Sequence, residues 1–246
     1  MRLLFLLVCF YLKSTQAADN SSADKHPPLK LSLTHIEGVM DVADEQAPYN
    51  RLLSVLTEQF GLQFDAQFYP SGRSNFLLDH GKIDCIFPIA KGVYRGEIET
   101  RFLEPVNRVS VHLFSYGDTT YTSLEQVRRK TVVYPQGYLF SNLINDNPFE
   151  ADFTPVLTPH SGMEMLKKGR ADAYLDYLPD LRFSLTAEEL EGINYSSGNA
   201  IFSTFDGFEC RIEPHKTAAL EALNSAILSL KQSQQLQSIL GNYYNL

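Results

Sequence analysis

The chain is short of positive charge: 21 Lys and Arg stand against 29 Asp and Glu, a formal net charge of −8. No basic stripe is present to neutralise phosphates, which argues against nucleic acid as a partner. Catalytic signatures are missing too. There is no Gly-x-Ser-x-Gly elbow, no His-Glu-x-x-His pair and no phosphate-binding Gly-rich loop. The 6 histidines are scattered without ligand spacing, so neither a metal nor another cofactor is expected. Long apolar runs are equally scarce, with one exception at the start of the chain.

That exception sets the compartment. Met1-Arg2 leads into the apolar run 3–12, then Lys13 and the small-residue stretch Ser14-Thr15-Gln16-Ala17-Ala18. A basic start, a short apolar run and a small-residue site form a secretory signal, with cleavage expected near Ala17. The run falls short of the roughly 20 residues that a permanent span needs. Export to the periplasm is the expectation, with residues 18–28 as a flexible lead-in ending in Pro27-Pro28. Removing Arg2 and Lys13 deepens the acidity, which serves solubility and identifies no ligand. Of 3 cysteines, Cys9 leaves with the signal, and Cys85 and Cys210 remain. An oxidising compartment permits a disulfide between them, and two buried thiols are the alternative.

What the chain does have is a sentence said twice. Leu77-Leu78-Asp79-His80-Gly81-Lys82-Ile83-Asp84-Cys85 is echoed 88 positions later by Met165-Leu166-Lys167-Lys168-Gly169-Arg170-Ala171-Asp172-Ala173. Each copy ends an apolar helical run at a glycine suited to a left-handed cap, then enters a strand-like run, 83–90 or 171–178. One helix-to-strand junction used twice implies two similarly built lobes, and two lobes make a cleft.

The surrounding pattern is α/β. Strand 29–33, helix 47–60, strand 62–69, helix 73–80 and strand 83–90 form a series that specifies a parallel sheet with helices packed on it. A looser segment after Arg95 precedes strand 109–116. Ser123-Leu124-Glu125-Gln126 has capping-box spacing before strand 131–135. A helix is expected over 141–145 and a strand over 153–157. Ser161-Gly162-Met163-Glu164 spells a second box, opening the helix that stops at Gly169, and Thr186-Ala187-Glu188-Glu189 opens a short surface helix. Strands 200–205 and 208–212 precede a closing helix with Leu220, Leu223, Ile227 and Leu230 on one stripe, and a last helix follows through Leu236, Ile239 and Leu240. The closing helices have no counterpart mid-chain. Residues 29–107 plus 206–246 are therefore expected to make lobe 1, and residues 108–205 an inserted lobe 2, with two strands crossing between them in a manner suited to hinge bending.

Here the chain resembles the family 3 extracellular solute-binding proteins, the periplasmic receptors of ABC importers that mostly bind amino acids. The resemblance runs from about residue 29 to the end. It is carried by segments 77–90 with Arg95, 122–137, 162–179 and 211–244. It implies the two-lobed type II periplasmic-binding-protein fold, a solute in the cleft, a transient membrane permease or receptor as partner, and action as a monomer. The chain departs from the family pattern at three places. A hydroxyl residue three before the ligand-binding Arg is replaced by Gly92. The Gly-Thr or Gly-Ser pair of the inserted lobe reads Gly137-Tyr138. The Asp that pairs with an α-ammonium is replaced by Tyr177, with Asp176 one step away and on the other face of a strand. These departures argue against an ordinary α-amino acid and toward a carboxylate-bearing or aromatic solute.

In a parallel sheet a ligand sits beyond the carboxyl ends of the strands. Candidate contacts at those positions are His35 after the first strand, Tyr69 and Arg73 around the second-strand turn, and Arg95 after the third. Gln136, Gly137, Tyr138 and Tyr177 are the candidates from the inserted lobe. An Arg fork suits a carboxylate. For Tyr138 and Tyr177 a core or hinge role competes, for His35 a structural role, for Arg73 a solvated first-turn position and for Arg95 a surface ion pair with Glu97 or Glu99. Asp84 and Asp172 read as junction residues, because their position repeats where no ligand need repeat. The competing functions are a secreted lyase or dehydratase on the same scaffold and a sensory module for a membrane receptor.

Overall fold

The structure, a computed structural model, describes residues 27–138, 140, 144 and 149–245. The signal expected at 1–17 and the helix expected over 141–145, Ile144 apart, lie outside the described residues. Among the described residues no helix is long and apolar enough to cross a membrane.

The first half supplies β1 (Leu29–Leu33), α1 (Pro48–Phe60), β2 (Phe64–Phe68), α2 (Ser71–Asp79) and β3 (Cys85–Ala90), followed by β4 (Thr100–Phe102). Next come β5 (Asn107–Tyr116), β6 (Thr131–Pro135), β7 (Asp152–Val156), α3 (Pro159–Lys167), β8 (Ala173–Tyr177), α4 (Leu178–Ser184) and β9 (Ile193–Asn194). The chain closes with β10 (Phe202–Arg211), α5 (Thr217–Gln232) and α6 (Gln235–Leu240). The strands form one curled sheet in the order β2-β1-β3-β10-β5-β8-β6-β7, with β4 added beside β10 and β9 beside β5.

Each end of that sheet is a parallel triplet of the same design. β1 lies between β2 and β3, and β6 lies between β7 and β8. In both, the first strand in sequence is central, the second is at the outer edge and the third is innermost. β5 and β10 join the triplets. They pair antiparallel with each other from Val111↔Phe202 to Asn107↔Asp206, then diverge, β10 to β3 and β5 to β8.

The repeated sequence makes a repeated structure. Gly81 and Gly169 take φ of 63° and 65°, a left-handed conformation that a side chain would resist. The amide of Gly81 donates to Leu78 O and that of Lys82 to Leu77 O; Gly169 and Arg170 donate to Leu166 O and Met165 O. Both junctions thus satisfy the last helix carbonyls. The aspartate that follows then ties its strand to the neighbouring one. Asp84 Oδ2 accepts from the Lys30 amide at 2.8 Å, and Asp172 Oδ2 from the Thr131 amide at 2.9 Å. The Asp84 and Asp172 amides donate back to the carbonyls of the same two residues. A lysine closes each site, Lys216 at 3.0 Å and Lys130 at 3.4 Å.

Packing follows the strand period of two. In the second triplet Val132, Ala173 and Leu175 face one core, whereas Val133 and Tyr174 face another with Met163, Leu166 and Leu181. In the first, β1 and β3 bury Leu29, Leu31, Cys85 and Phe87 under Leu52 and Leu56 of α1 and the stripe Leu220, Leu223, Ile227 and Leu230 of α5. Each of those leucines, fully buried, is worth about 1.5–3 kcal/mol. Cys85 and Cys210, facing each other across β3 and β10, are disulfide-bonded.

Four local readings are corrected. The strands expected at 200–205 and 208–212 are one strand, since a bulge between Gly207 and Glu209 absorbs the break in the pattern. α3 starts a turn early. Thr158 is its cap, accepting from the Ser161 amide, and Pro159 suits the first helical position. The 186–189 box forms, with the Thr186 amide 2.9 Å from Glu189 Oε2, but it closes a turn rather than a helix. The segment read as loose after Arg95 holds β4, and α4 follows β8 directly with Pro179 in its first turn.

The junctions yield a measurable asymmetry. The Asp84 side chain is 13% exposed and that of Asp172 42%. Chemical denaturation should show Asp84→Ala costing about 2 kcal/mol and Asp172→Ala about 1 kcal/mol. Joint replacement of Cys85 and Cys210 by Ala should cost about 3 kcal/mol, because the bond closes a loop spanning 125 residues.

Candidate functional site

The carboxyl ends of β1, β3, β6 and β8 and the loops leaving them converge on a cavity of about 70 Å³. One wall is apolar: Ile36, Ile86, Ile89, Val93 and Val109. Thr34, Ser71, Ser74 and Asn75 add a polar side from the first half of the chain. The opposing side comes from the inserted segment, with Gly137, Tyr138, Tyr177 and Asp180, and Asp206 of β10 lies between. No Lys, Arg or His is among the described residues lining it.

The acids are held by phenols instead of cations. Asp180, in the first turn of α4, accepts from Tyr243 at 2.6 Å and from Tyr138 at 2.9 Å, one on each carboxylate oxygen. Asp206 Oδ2 accepts from Tyr49 at 2.5 Å, and its Oδ1 makes no hydrogen bond of ordinary geometry. Asn75 Oδ1 is likewise buried and unpaired. Asp176 projects to the opposite side of β8 from Tyr177, whose amide it accepts at 2.7 Å. Burial raises all three carboxyls. Asp180 rises to about 6, held back by the hydrogen bonds from Tyr243 and Tyr138. Asp206 rises to about 8, with Tyr49 opposing and the charge of Asp180 adding to it. Asp176 is pushed well up, by burial first and Asp180 second.

A second set of contacts joins the two sides of the cavity. Ser184 Oγ donates to Glu37 O at 3.0 Å, and His160 sits between Glu189 and Glu37, whose Oε1 is 3.3 Å away. Hydrogen bonding to Glu189 raises the His160 pKa. Gly38 packs so tightly that a Cβ there would lie 2.7 Å from Phe183 O. His112 is buried, bonded to Ser110 at 2.9 Å and Ser196 O at 3.1 Å, and burial lowers its pKa.

The sequence candidates divide. Gly137, Tyr138 and Tyr177 line the cavity. His35, Tyr69, Arg73, Arg95 and Gln136 do not. Arg95 is exposed and donates to Gly92 O at 2.7 Å and Tyr94 O at 2.9 Å. Arg73 stacks over Tyr69 at 5.5 Å, His35 edges against Phe68, and Gln136 is exposed. Each leaves the correct strand end but turns outward. Asn75, Asp180 and Asp206 were missed. The available signal was a charge inside a strand pattern, Phe205-Asp206-Gly207-Phe208, and an acid two residues beyond Pro-flanked Tyr177-Leu178.

Raised carboxyl values fix a sign. Asp180 and Asp206 hold their protons more tightly folded than unfolded, so their contribution to stability is complete below about pH 4 and lost as pH rises through about 6 and about 8. Melting curves should show stability attributable to this site falling between those limits. Asp206→Asn should flatten the upper part of the fall and melt higher than the parent at about pH 8.

No family model and no curated protein matches this sequence. Solved structures do match. The GluR0 ligand-binding core in complex with L-glutamate superposes with a TM-score of 0.73 at 14% identity, covering 89% of this chain and 99% of that one. A histidine kinase sensor domain with similarity to periplasmic binding proteins gives 0.70 at 15%, covering 89% and 97%. An amino acid ABC transporter substrate-binding protein from Streptococcus pneumoniae, bound to L-arginine, gives 0.68 at 15%, covering 88% and 94%. The names of these proteins are of ligand binding, sensing and transport. With its paired triplets, its two crossing strands and a cavity between them, the chain has the two-lobed fold of these binding proteins.

Proposed function

We propose that this is an exported solute-binding protein whose two lobes, residues 29–107 with 206–246 and residues 108–205, close over a small molecule. The observation that carries the reading is the cavity itself. It lies at the carboxyl ends of both triplets and draws its walls from both proposed lobes, with β5 and β10 as the connections. A solute touching both walls stabilises the closed arrangement by its differential affinity for it.

Two partners fit such a module: a permease that receives the solute, or a membrane sensor that reads the closed state. The sensor reading draws support from the likeness to a histidine kinase sensor domain. Crosslinking of the protein to membranes of its source cell, followed by identification of the captured component, separates the two.

A thermal-shift screen over amino acids, organic acids, aromatic acids and amines tests the binding function. A solute present at about a hundredfold its Kd adds about 2.7 kcal/mol and should raise Tm by roughly 5–10 °C. Small-angle scattering with that solute should show a decrease in radius of gyration. A screen in which no solute raises Tm, with scattering unchanged throughout, overturns the reading.

A further inference from the structure

Asp206 Oδ1 and Asn75 Oδ1 are buried without a hydrogen bond of ordinary geometry; the amide oxygen is an acceptor, and the carboxyl oxygen becomes one once its proton leaves. Asp206 is 5% exposed, and the tyrosines that occupy the remaining carboxylate oxygens are donors already spent. An unpaired buried acceptor costs free energy until something donates to it. A carboxylate solute has nothing to donate to either oxygen and would meet the charge of Asp180 without a cation on the lining. The guanidinium that could have offset this, Arg95, is committed to backbone carbonyls outside. The aliphatic wall and the rings of Tyr138 and Tyr177 suit an alkyl group attached to a cation. The cavity, at about 70 Å³, suits a small solute.

We propose that the solute is a small protonated alkylamine without a carboxylate, its ammonium group donating to Asp206, with the Asn75 carbonyl as a further acceptor and the alkyl part on Ile86, Ile89 and Val93. The assignment rests on the solute-binding reading above and adds the ligand class to it. It has a pH signature. The groups facing Asp206 are Tyr49 from α1, Asp180 from α4, Tyr177 at the end of β8 and Tyr243 near the C-terminus, and none supplies a positive charge. The empty site therefore keeps its proton up to about pH 8, and an ammonium must displace it. Affinity climbs toward about tenfold per pH unit below that value and levels above it.

Titration calorimetry of the mature protein with n-propylammonium, butane-1,4-diammonium, propionate, 1-propanol and L-alanine tests this at about pH 6 and about pH 8. The expected result is that one of the two amines binds best, at least about tenfold tighter at the higher pH, with proton release seen as a buffer-dependent heat. Asp206→Asn, which removes a buried carboxyl and so should not destabilise the fold, should lose at least about tenfold in amine affinity and most of its pH dependence. Asn75→Leu should weaken the amine as well, and serves where the first variant folds poorly. Tighter binding of propionate, L-alanine or 1-propanol than of either amine overturns the ligand class and leaves the solute-binding reading standing, as does unchanged amine affinity in both variants. Absence of binding by all five solutes overturns the amine assignment. If the wider screen and scattering are also negative, the solute-binding reading falls with it.

Discussion

The pairing of β5 with β10 is the constraint on which the architecture depends. Over the stretch from Val111↔Phe202 to Asn107↔Asp206 these two strands have each other as neighbours, and beyond it each joins a different triplet. Backbone hydrogen bonds must be satisfied somewhere, and here they are satisfied by continuing one ladder through the middle of the molecule. The two triplets are thereby held side by side with their carboxyl ends turned to a common space. Asp206 sits at the end of this shared ladder, which is why a residue of the crossing becomes a residue of the cavity.

Two carboxyls in that space, Asp180 and Asp206, carry no cationic partner, an arrangement that burial makes expensive. Phenolic donors reduce the cost without introducing charge, and the raised proton affinity of both acids reduces it further. Tyr243 reaches Asp180 across 63 positions and Tyr49 reaches Asp206 across 157. The polar centre is thus assembled by the closing of the chain on itself. An apolar pair of the same shape would be cheaper to fold, so retaining acids here is consistent with a site kept for binding.

Much of the fold was readable because it is local. The left-handed glycine, the following Asp and the apolar run each need only about nine consecutive residues, and their recurrence at Gly81 and Gly169 disclosed the duplicated design. The stripe of Leu220, Leu223, Ile227 and Leu230 announced α5 in the same way. Boundaries failed where one residue outweighed the pattern, as Pro159 did for α3 and the bulge beside Gly207 did for β10. The site was only half readable. Sequence places Arg73 and Arg95 at the correct strand ends but cannot say which way their side chains turn, and Arg95 finds carbonyls of its own loop. Asp206 escaped notice because an acid within a strand reads as a solvent-facing residue, whereas the partner that covers it is 157 positions away.

The ties formed by Asp84, by Asp172 and by the bond between Cys85 and Cys210 all sit at the amino ends of the inner strands, opposite the cavity. The covalent bond and both aspartate ties thus lie at the rear, away from the mouth. A frame bolted at the back lets the front be rebuilt: substitutions around the mouth can alter what is gripped while leaving the foundations undisturbed.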